Sequence, residues 1–318
     1  GDAARASLQA VLKQLAQRAE DVGQDIAKQI ALILTKRKQA GDYIVAALYG
    51  KAYAAKNKAT DDTVNKLVSK PKAEADIPWA AEARDSNCNP ETPIANKAGY
   101  SIATNVLCLS CGGQAATIGQ DTWYKVTAIT GVTAAPNSGA KATMKTNLDK
   151  LLDECTSQSY TGVPPLTAGT TEAAVTKVFS HLGRKFILTG TPATATARTP
   201  DTNSFLGAYV LDAGNGAKFS ADTNTIKATG GKGIFIDYSK LREHQQGIAS
   251  VGSLAGAAAA LEQLAEAAAG QSTHIAALKQ VQQQMENVLM LGSIITTGIN
   301  LPQKPSNKQQ QQNKINEN

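Results

Sequence analysis

The chain has 318 residues and a mass of 33.2 kDa, which is room for one large domain or two ordinary ones. It is 42% hydrophobic but only 5% aromatic, and its 53 alanines favour closely packed helices. The composition as a whole excludes collagen, mucin and a membrane-spanning segment. The net charge of +6 comes from interspersed basic and acidic residues without a basic run, so we expect no nucleic-acid partner. The chain begins with Gly1 and lacks a basic-then-apolar leader, so we expect a processed or trimmed protein.

The first predicted element is a long amphipathic helix over about residues 5–55. Its apolar residues mostly alternate between steps of four and three, which is the heptad pattern of a coiled coil. In chain order they are Leu8, Leu12, Leu15, Ala19, Val22, Ile26, Ile30 and Ile33. The step from Ile26 to Ile30 repeats a step of four, so the pattern predicts a slip at this point. At 1.5 Å per residue the helix is roughly 75 Å long.

The second long helix is predicted over about residues 250–299. Its apolar residues form two rows: Leu261, Ala268, Ile275, Gln282 and Leu289 at intervals of seven, and a companion row of Ala257, Leu264, Leu278 and Met285 that Gln271 interrupts. The helix should end before Leu301-Pro302, because proline disfavours helix in the residue before it. Residues 304–318 include four consecutive glutamines and are predicted to be a polar linker or tail after a domain of residues 1–303.

Two amphipathic helices at opposite ends of one chain need a surface on which to bury their apolar rows. Because residues 58–245 separate them, an antiparallel pair with this segment inserted as a loop-rich, mixed head is the simplest arrangement. The predicted fold is therefore mainly α (α+β), an elongated antiparallel coiled coil with an inserted head. Two helices alone leave apolar surface exposed, so we expect a homodimer with a four-helix-type bundle. A trimer is also compatible with the sequence, because apolar rows that contain Gln and Ala specify the number of helices poorly.

The head combines short helices, strands and loops. One helix is predicted to carry an apolar face that consists of Met144, Leu148, Leu151, Leu152 and Cys155. Another is predicted to begin at Thr171-Glu172 and to end at Gly183, where a C-terminal glycine cap belongs. The remaining predicted elements are a short helix over Asp61–Val68 and strands at Lys185–Thr189, Phe205–Leu211 and Gly233–Tyr238. The loop of residues 190–200 is rich in Thr, Ala and Pro and should form an exposed tip.

All four cysteines lie in the head, and none lies in the long helices. They are Cys88, Cys108, Cys111 and Cys155. An even number within one segment favours two disulfides in a secreted domain. Cys108-Leu-Ser-Cys111 could alternatively be a redox pair or half of a zinc site, although the histidines lie far away in the sequence. The connectivity is open, but a bond between Cys108 and Cys111 would be strained, so each is expected to pair with Cys88 or Cys155.

No residue pattern in the chain points to catalysis or to cofactor binding. The sequence lacks a G-x-S-x-G elbow, an H-E-x-x-H motif, a Walker loop and an EF-hand loop. Gly230-Gly-Lys-Gly233 lacks the spacing of a phosphate-binding loop. Asp153 and Glu154 are adjacent and therefore point to different sides of a helix. We expect no catalytic residue, no cofactor and no metal.

Two motifs resemble a known family. The first is the segment Gly99-Tyr-Ser-Ile-Ala-Thr-Asn-Val-Leu-Cys-Leu-Ser-Cys111, which follows a long amphipathic helix. The second is Gly233-Ile-Phe-Ile-Asp-Tyr238, which leads into the second long helix. Both are similar to the amino-terminal domain of trypanosome variant surface glycoproteins, in particular to class B. Compared with the Leu-Cys-Leu-Cys-like segment of that class, this chain has one additional residue, Ser110, before the second cysteine.

The resemblance implies a surface coat glycoprotein at the extracellular cell surface, which is homodimeric and packed as a dense protective monolayer. Its variable membrane-distal loops would serve antigenic variation and immune evasion, with host antibodies as partners. Membrane attachment would come only through a carboxy-terminal domain with a glycolipid (GPI) anchor that this chain does not include. The alternative function is a surface receptor for a host macromolecule on the same helical scaffold. A coiled-coil adhesin and an enzyme are the other classes considered.

The resemblance also implies two groups of surface residues in the head. Class B relatives can carry O-linked hexose, and the candidate hydroxyls here are Thr194, Thr196 and Ser138. The loop from Thr189 to Asn203 is the expected immunodominant surface. Its exposed epitope residues would be Thr191, Pro192, Thr194, Thr196, Arg198 and Thr199.

Overall fold

The computed structural model describes the long helices and part of the head. The described residues are 2–57, 70–80, 84–90, 95–110, 132, 140–157, 164–189, 203–212, 218–219, 232–243, 245 and 247–297. The helices are α1 (Asp2–Tyr49), α2 (Lys51–Lys56), a 3-10 helix (Glu74–Asp76), α3 (Arg84–Cys88), α4 (Ile102–Ser110), α5 (Lys141–Ser157), α6 (Ala168–His181), α7 (Ser239–Glu243) and α8 (Ala249–Thr297). The strands are β1 (Lys185–Thr189), β2 (Phe205–Asp212), β3 (Lys218–Phe219) and β4 (Lys232–Asp237).

The chain divides into two compact units. The first consists of Gly1–Leu32 together with the chain from Glu266 onward, and the second consists of Ile33–Ala265. Each unit therefore contains a part of α1 and a part of α8, and each is described separately below.

In the first unit, α1 and α8 lie side by side and run in opposite directions. Gln29 of α1 donates a hydrogen bond to the carbonyl oxygen of Ala267, early in this part of α8. Leu8, near the beginning of α1, lies against Gly292 near the end of α8, where an added Cβ would be 3.8 Å from the leucine Cδ1. The prediction of a mainly α fold with two long antiparallel helices is thus confirmed. The four-helix bundle of a dimer stays a prediction.

The first long helix ends at Tyr49 instead of continuing to about residue 55. Gly50 has φ 92°, a left-handed conformation that interrupts the helix and that only glycine adopts at low cost. A separate six-residue helix, α2, begins at Lys51 directly after it. Tyr53 and Ala54 of α2 are buried in the core of the second unit.

The core of the second unit lies where the end of α1 and α2 meet the short helices α3, α4, α5 and α7 and strand β4. Its fully buried side chains include Leu107 of α4 and Tyr238, which precedes α7. The predicted apolar face of α5 is confirmed for Met144, Leu148 and Leu151, all of which are buried in this core. Cys88 and Cys108 are buried in the same core.

The strands form a four-stranded mixed sheet in the order β1-β2-β4-β3. β2 is parallel to β1 and antiparallel to β4, and β3 is parallel to β4. The three predicted strands are confirmed: β1 has the predicted bounds, β2 extends one residue further, and β4 lies one residue earlier than predicted at both ends. The sequence does not predict β3, because two residues are too few to show alternation.

Helix α6 begins earlier than predicted, at Ala168 instead of Thr171. Thr167 is its N-cap: the hydroxyl accepts a hydrogen bond from the backbone N–H of Thr170, whose own hydroxyl accepts one from the backbone N–H of Thr167. This reciprocal pair is a capping box in which threonine replaces the usual Glu or Gln. The sequence therefore lacks the Glu or Gln that would have indicated a helix start at this position. Gly183 follows the C-cap residue Leu182, as predicted.

Two predicted segments lie outside the described residues. They are the short helix over residues 61–68 and the polar tail of residues 304–318. The domain boundary at residue 303 stays a prediction.

Candidate functional site

The seam between α1 and α8, meaning the row of α1 residues that faces α8, keeps the heptad alternation in the first unit. Leu8, Leu12, Leu15, Ala19, Val22 and Ile26 are half-buried, and the next half-buried residue is Gln29. Ile30 is 42% exposed. The predicted slip at Ile30 is therefore wrong: a step of three from Ile26 leads to a polar residue, and the periodicity of the helix outweighs the preference for an apolar side chain at this position.

Gln29 fits the seam because its amide has a partner there. Its Nε2 donates to the carbonyl oxygen of Ala267 over 2.8 Å. Ala267 is buried, and a Cβ added to Gly270 would lie 2.9 Å from the same Nε2. Two small residues on α8 thus leave the space that the glutamine side chain occupies. A strict heptad from Leu8 would have identified position 29 in the sequence.

In the first unit, the residues of α8 that face α1 are not those of the predicted row Ala268, Ile275, Gln282 and Leu289. Ala267 and Val281 are buried, and Gln271 and His274 are half-buried. In the other row, Ala268, Ile275, Gln282 and Leu289 are all exposed. The sequence did not indicate the row of Ala267, His274 and Val281, because His274 interrupts its apolar pattern.

An apolar surface remains near the end of α8 in the first unit. Its members are Leu289, Met290, Leu291, Ile294 and Ile295, which we call the α8 apolar surface. Their exposed fractions reach 64% at Met290, and no charged residue occurs between Asn287 and Gln303. A helix that is apolar on several faces is normally buried on several faces, and α1 covers only one of them. The α8 apolar surface is thus exposed in the described part of the chain.

A cavity adjoins the α8 apolar surface where α8 meets the beginning of α1. Its volume is about 420 Å³, and it is lined by Arg5, Leu8, Gln9, Leu12, Val288, Leu289, Gly292 and Ile295. Gly292 contributes no side chain to this lining. The cavity can accept a side chain from a surface that covers the end of α8.

In the second unit, Tyr43 of α1 packs against Gly256 of α8. A Cβ added to Gly256 would lie 2.8 Å from Cε1 of the Tyr43 ring, so only glycine permits this contact. A cavity of about 310 Å³ lies beside the tyrosine, and Asp42 and Lys51 contribute to its lining. Buried Ala46, Ala54 and Ser253 form the small-residue part of that lining.

The glycine-led motif before α4 has a structural basis. Gly99 has φ 85°, and an added Cβ would lie 2.7 Å from Leu241 Cδ1. Its N–H donates to Oδ1 of Asn105 over 2.7 Å, and its carbonyl oxygen accepts from the N–H of Ser250 at the start of α8. Ser101 accepts a hydrogen bond from the N–H of Thr104 and so begins α4. The motif Gly99-Tyr-Ser-Ile-Ala-Thr-Asn105 therefore joins α4, α7 and α8 within the second unit.

Cys88 and Cys108 form a disulfide. Their Cα atoms are 5.6 Å apart, and both side chains are buried. The bond links the end of α3 to α4, inside the same core as Leu107 and Met144. It resolves one pairing that the sequence left open, and it excludes a redox pair or a zinc site that uses Cys108 with Cys111.

Burial changes the titration of the tyrosines in the second unit. It raises the pKa of the fully buried Tyr238 phenol far above its ordinary value. It also raises the pKa of Tyr49, to which the nearby Tyr53 and Asp149 add further increases. These shifts keep the phenols neutral and packed, which is a structural role.

Asp149 and Asp153 of α5 form ion pairs. Lys70 donates a hydrogen bond of 2.8 Å to Asp153, which lowers the pKa of Asp153 and raises that of Lys70. Lys145 pairs with Asp149 over 2.6 Å. Among the described residues, no group of three His, Cys, Asp or Glu side chains could hold a metal ion.

Most of the predicted site residues lie outside the described residues. These are Cys111, the candidate glycosylation residues Thr194, Thr196 and Ser138, and the epitope residues Thr191, Pro192, Arg198 and Thr199. Cys155 lies in α5, but its side chain is not among those described. Their roles stay predictions.

Comparison with known proteins agrees with these features. The family model of the trypanosomal VSG domain, class B, matches residues 1–287. No curated protein matches the chain. In the described part of the chain, no helix combines the length and the apolar character needed to cross a membrane. The chain therefore belongs to the trypanosomal VSG domain family, as the amino-terminal domain of a variant surface glycoprotein, and is a structural coat protein of the trypanosome surface.

Proposed function

We propose that this domain forms a dense protective monolayer and acts by steric shielding, without catalysis. Membership of the family supports this proposal. The two long helices α1 and α8, which contact each other through small residues such as Ala267, support it as well. α1 has 48 residues, which correspond to about 72 Å of helix. Attachment to the membrane is proposed to occur through a carboxy-terminal domain with a glycolipid anchor. The test is antibody access to an invariant membrane protein, which should fall as the coat density rises, whereas access that is independent of coat density would contradict shielding.

The coat unit is proposed to be a homodimer, and the observation that carries this proposal is the α8 apolar surface. Five large apolar side chains of one helix end are 37% to 64% exposed. Patches of this kind are uncommon on monomeric proteins and are typical of protein interfaces. The adjoining cavity of about 420 Å³ could receive a side chain of the second copy. The same surface is also compatible with a trimer.

The oligomeric state can be tested by changing charge on this surface. We expect light scattering to give the mass of two chains for the wild type and of one chain for Leu289→Glu with Ile295→Glu. Gln280→Glu with Gln283→Glu is the matched control, because it adds the same two charges at exposed polar positions of α8. A wild-type protein with the mass of one chain would overturn the proposal, and a mass of three chains would replace the dimer by a trimer.

The loop from Thr189 to Asn203 is proposed to carry antigenic variation and to bind host antibodies. Its small polar residues need little burial, so they can change at little cost to folding. The experiment replaces this loop and measures binding of antibodies raised against the original domain. Reduced binding is expected, and antibodies that bind normally after the replacement would contradict the proposal. Intact mass would test O-linked hexose at Thr194, Thr196 or Ser138, each occupied site adding one or more hexose masses.

The alternative is a surface receptor for a host macromolecule. The observation that favours it is the cavity of about 310 Å³ beside Tyr43, which can accept one side chain of a bound protein. Specific capture of one serum protein, weakened by Ala54→Phe in the cavity lining, would support this function. Capture that is unchanged by Ala54→Phe would assign binding to another surface.

A further inference from the structure

We propose that the cavity beside Tyr43 binds a free α-amino acid with an apolar side chain. The cavity has a volume of about 310 Å³, and all of its described lining residues belong to the second unit. Such binding goes beyond the coat function and does not depend on it. The occupant is a small molecule, whereas the receptor alternative would place a side chain of a bound protein in the same cavity.

The volume of the cavity matches a single amino acid. Sites for small molecules have volumes of roughly 300–1,000 Å³, and this cavity lies at the lower end of that range. It has the volume of about ten water molecules, at about 30 Å³ for each of them. A molecule of the size of leucine or phenylalanine therefore fits.

Part of the lining is apolar and can pack against an apolar side chain. Ala46 of α1 and Ala54 of α2 are buried there and contribute only methyl groups. The ring of Tyr43 adds a large apolar area. A Cβ added to Gly256 would lie 2.8 Å from Cε1 of this ring, so the ring is packed directly on α8 and is held in place.

A buried hydroxyl without a partner belongs to the same lining. Ser253 of α8 is only 4% exposed, and within the part of the chain that the structure describes its hydroxyl makes no hydrogen bond. Its Oγ is not fully enclosed, so the cavity gives access to it. Because buried polar groups normally have a hydrogen-bond partner, this hydroxyl indicates a polar group on the ligand.

Two side chains of opposite charge also line the cavity. Lys51, the first residue of α2, forms no ion pair within the described part of the chain, and its ammonium group can bind a carboxylate. Asp42 of α1 is half-buried, and its carboxylate accepts several hydrogen bonds, so it can bind an ammonium group in addition to its other contacts. A free amino acid carries both charges at neutral pH, whereas a simple anion or cation would meet one like charge.

A ligand in this cavity would connect three elements of the second unit. The described lining comes from α1, α2 and α8. Gly50, with φ 92°, separates α1 from α2, and Asp42 and Lys51 lie on opposite sides of it in the chain. A ligand that contacts both therefore binds only the folded arrangement, and it should stabilise the domain by mass action.

Titration calorimetry of the purified domain tests the binding. We expect saturable binding of one L-phenylalanine or L-leucine per chain, and the midpoint of thermal unfolding should rise with the concentration of either amino acid. 3-Phenylpropanoate lacks the ammonium group and phenethylamine lacks the carboxylate, so each should bind at least about tenfold more weakly than L-phenylalanine. Absence of saturable binding of both amino acids up to about 10 mM would overturn the proposal. Analogues that bind as tightly as L-phenylalanine would overturn it as well.

Two variants test the charges separately, and neither changes a buried residue. Lys51→Gln should weaken binding of L-phenylalanine about tenfold without weakening that of phenethylamine, and Asp42→Asn should weaken it about tenfold without weakening that of 3-phenylpropanoate. Lys56→Gln is the matched control, because it removes the same charge from α2 outside the described lining. Unchanged affinity in Lys51→Gln or in Asp42→Asn, or an equal loss in Lys56→Gln, would contradict the assignment.

A third variant tests the hydroxyl. Ser253→Ala should weaken L-phenylalanine severalfold, because it removes one hydrogen bond to the ligand. Ser272→Ala is the matched control on α8, since Ser272 is exposed and lies outside the described lining. Equal affinity of Ser253→Ala and the wild type would show that the ligand does not reach this hydroxyl and would overturn the placement.

These measurements are separate from the test of the coat function. A domain that shields the membrane but binds neither amino acid would refute the binding site alone. A domain that binds L-phenylalanine, while antibody access does not depend on coat density, would refute the proposed coat function alone.

Discussion

The side chain of Gln29 donates a hydrogen bond of 2.8 Å to the carbonyl oxygen of Ala267, and this bond joins α1 to α8 in the first unit. Gly270 lies one turn beyond Ala267, and an added Cβ there would be 2.9 Å from Gln29 Nε2. The polar residue in the seam therefore depends on a small residue in the facing helix. The two positions should be coupled in their effect on stability.

The first prediction concerns this coupling. Gln29→Ala should lower the free energy of unfolding by about 1 kcal/mol, because it removes the hydrogen bond. Gly270→Ala should be nearly neutral in the wild type, because a helix-propensity gain of about 1 kcal/mol is offset by displacement of Gln29. In the Gln29→Ala background the same change should stabilise by about 1 kcal/mol. Urea denaturation measures all four proteins, and an equal effect of Gly270→Ala in both backgrounds would contradict the coupling.

The second prediction compares two glycines one turn apart on α8. Gly256→Ala should destabilise by about 2 kcal/mol, because its Cβ would collide with the ring of Tyr43. Gly252→Ala is the matched control: no heavy atom lies within 4 Å of its Cβ in the described structure, so it should stabilise by about 1 kcal/mol. Thermal denaturation gives both values. A destabilising Gly256→Ala that is not relieved by Tyr43→Ala would show that the ring is not the cause.

The third prediction separates backbone strain from steric overlap. Gly99 and Gly50 both have positive φ, but an added Cβ meets Leu241 Cδ1 at 2.7 Å at position 99 and no atom closer than 4.0 Å at position 50. Gly50→Ala should therefore cost about 1 kcal/mol for conformation alone, and Gly99→Ala about 3 kcal/mol. Chemical denaturation of both variants tests the difference, and equal losses at the two positions would contradict it.

The fourth prediction concerns alkaline pH. The folded state holds the proton on Tyr238 more tightly than the unfolded chain does, because burial raises the pKa of this phenol. The contribution is fully present below the ordinary value of 10.0, and it is lost as pH rises above that value. Stability should fall there by up to about 1.4 kcal/mol per pH unit from this residue.

Denaturation between neutral and strongly alkaline pH measures this slope. Tyr238→Phe should reduce it, and Tyr49→Phe should reduce it less, because Tyr49 is buried to a smaller extent. An alkaline slope that is the same in Tyr238→Phe and the wild type would assign the loss of stability to other groups.

Much of the fold could be predicted because it depends on local patterns. Helix periodicity and strand composition repeat over a few residues, so α1, α8 and the strands β1, β2 and β4 could be read directly. The predicted ends of helices were wrong where one or two residues act through backbone conformation or capping. Gly50 ends α1 early, and Thr167 with Thr170 begins α6 early.

The candidate interaction surface could be predicted only in part. The sequence indicates that two paired helices leave apolar surface exposed, but it does not identify that surface. Ile30 and Ile275 are good seam residues by composition, and both are exposed. The packing selects Gln29 and Ala267 instead, because close approach of two helices favours small residues and one satisfied amide over larger apolar side chains.

The sequence by itself determined the helical class, the two long helices, the mixed head with clustered cysteines and the family. These features follow from periodicity, composition and short motifs, which act over neighbouring residues. Only the tertiary structure decided which row of α8 faces α1, which residues remain exposed at its end, and that Cys88 bonds to Cys108. Each of these depends on the distance between residues far apart in the chain, and this distance is set by packing.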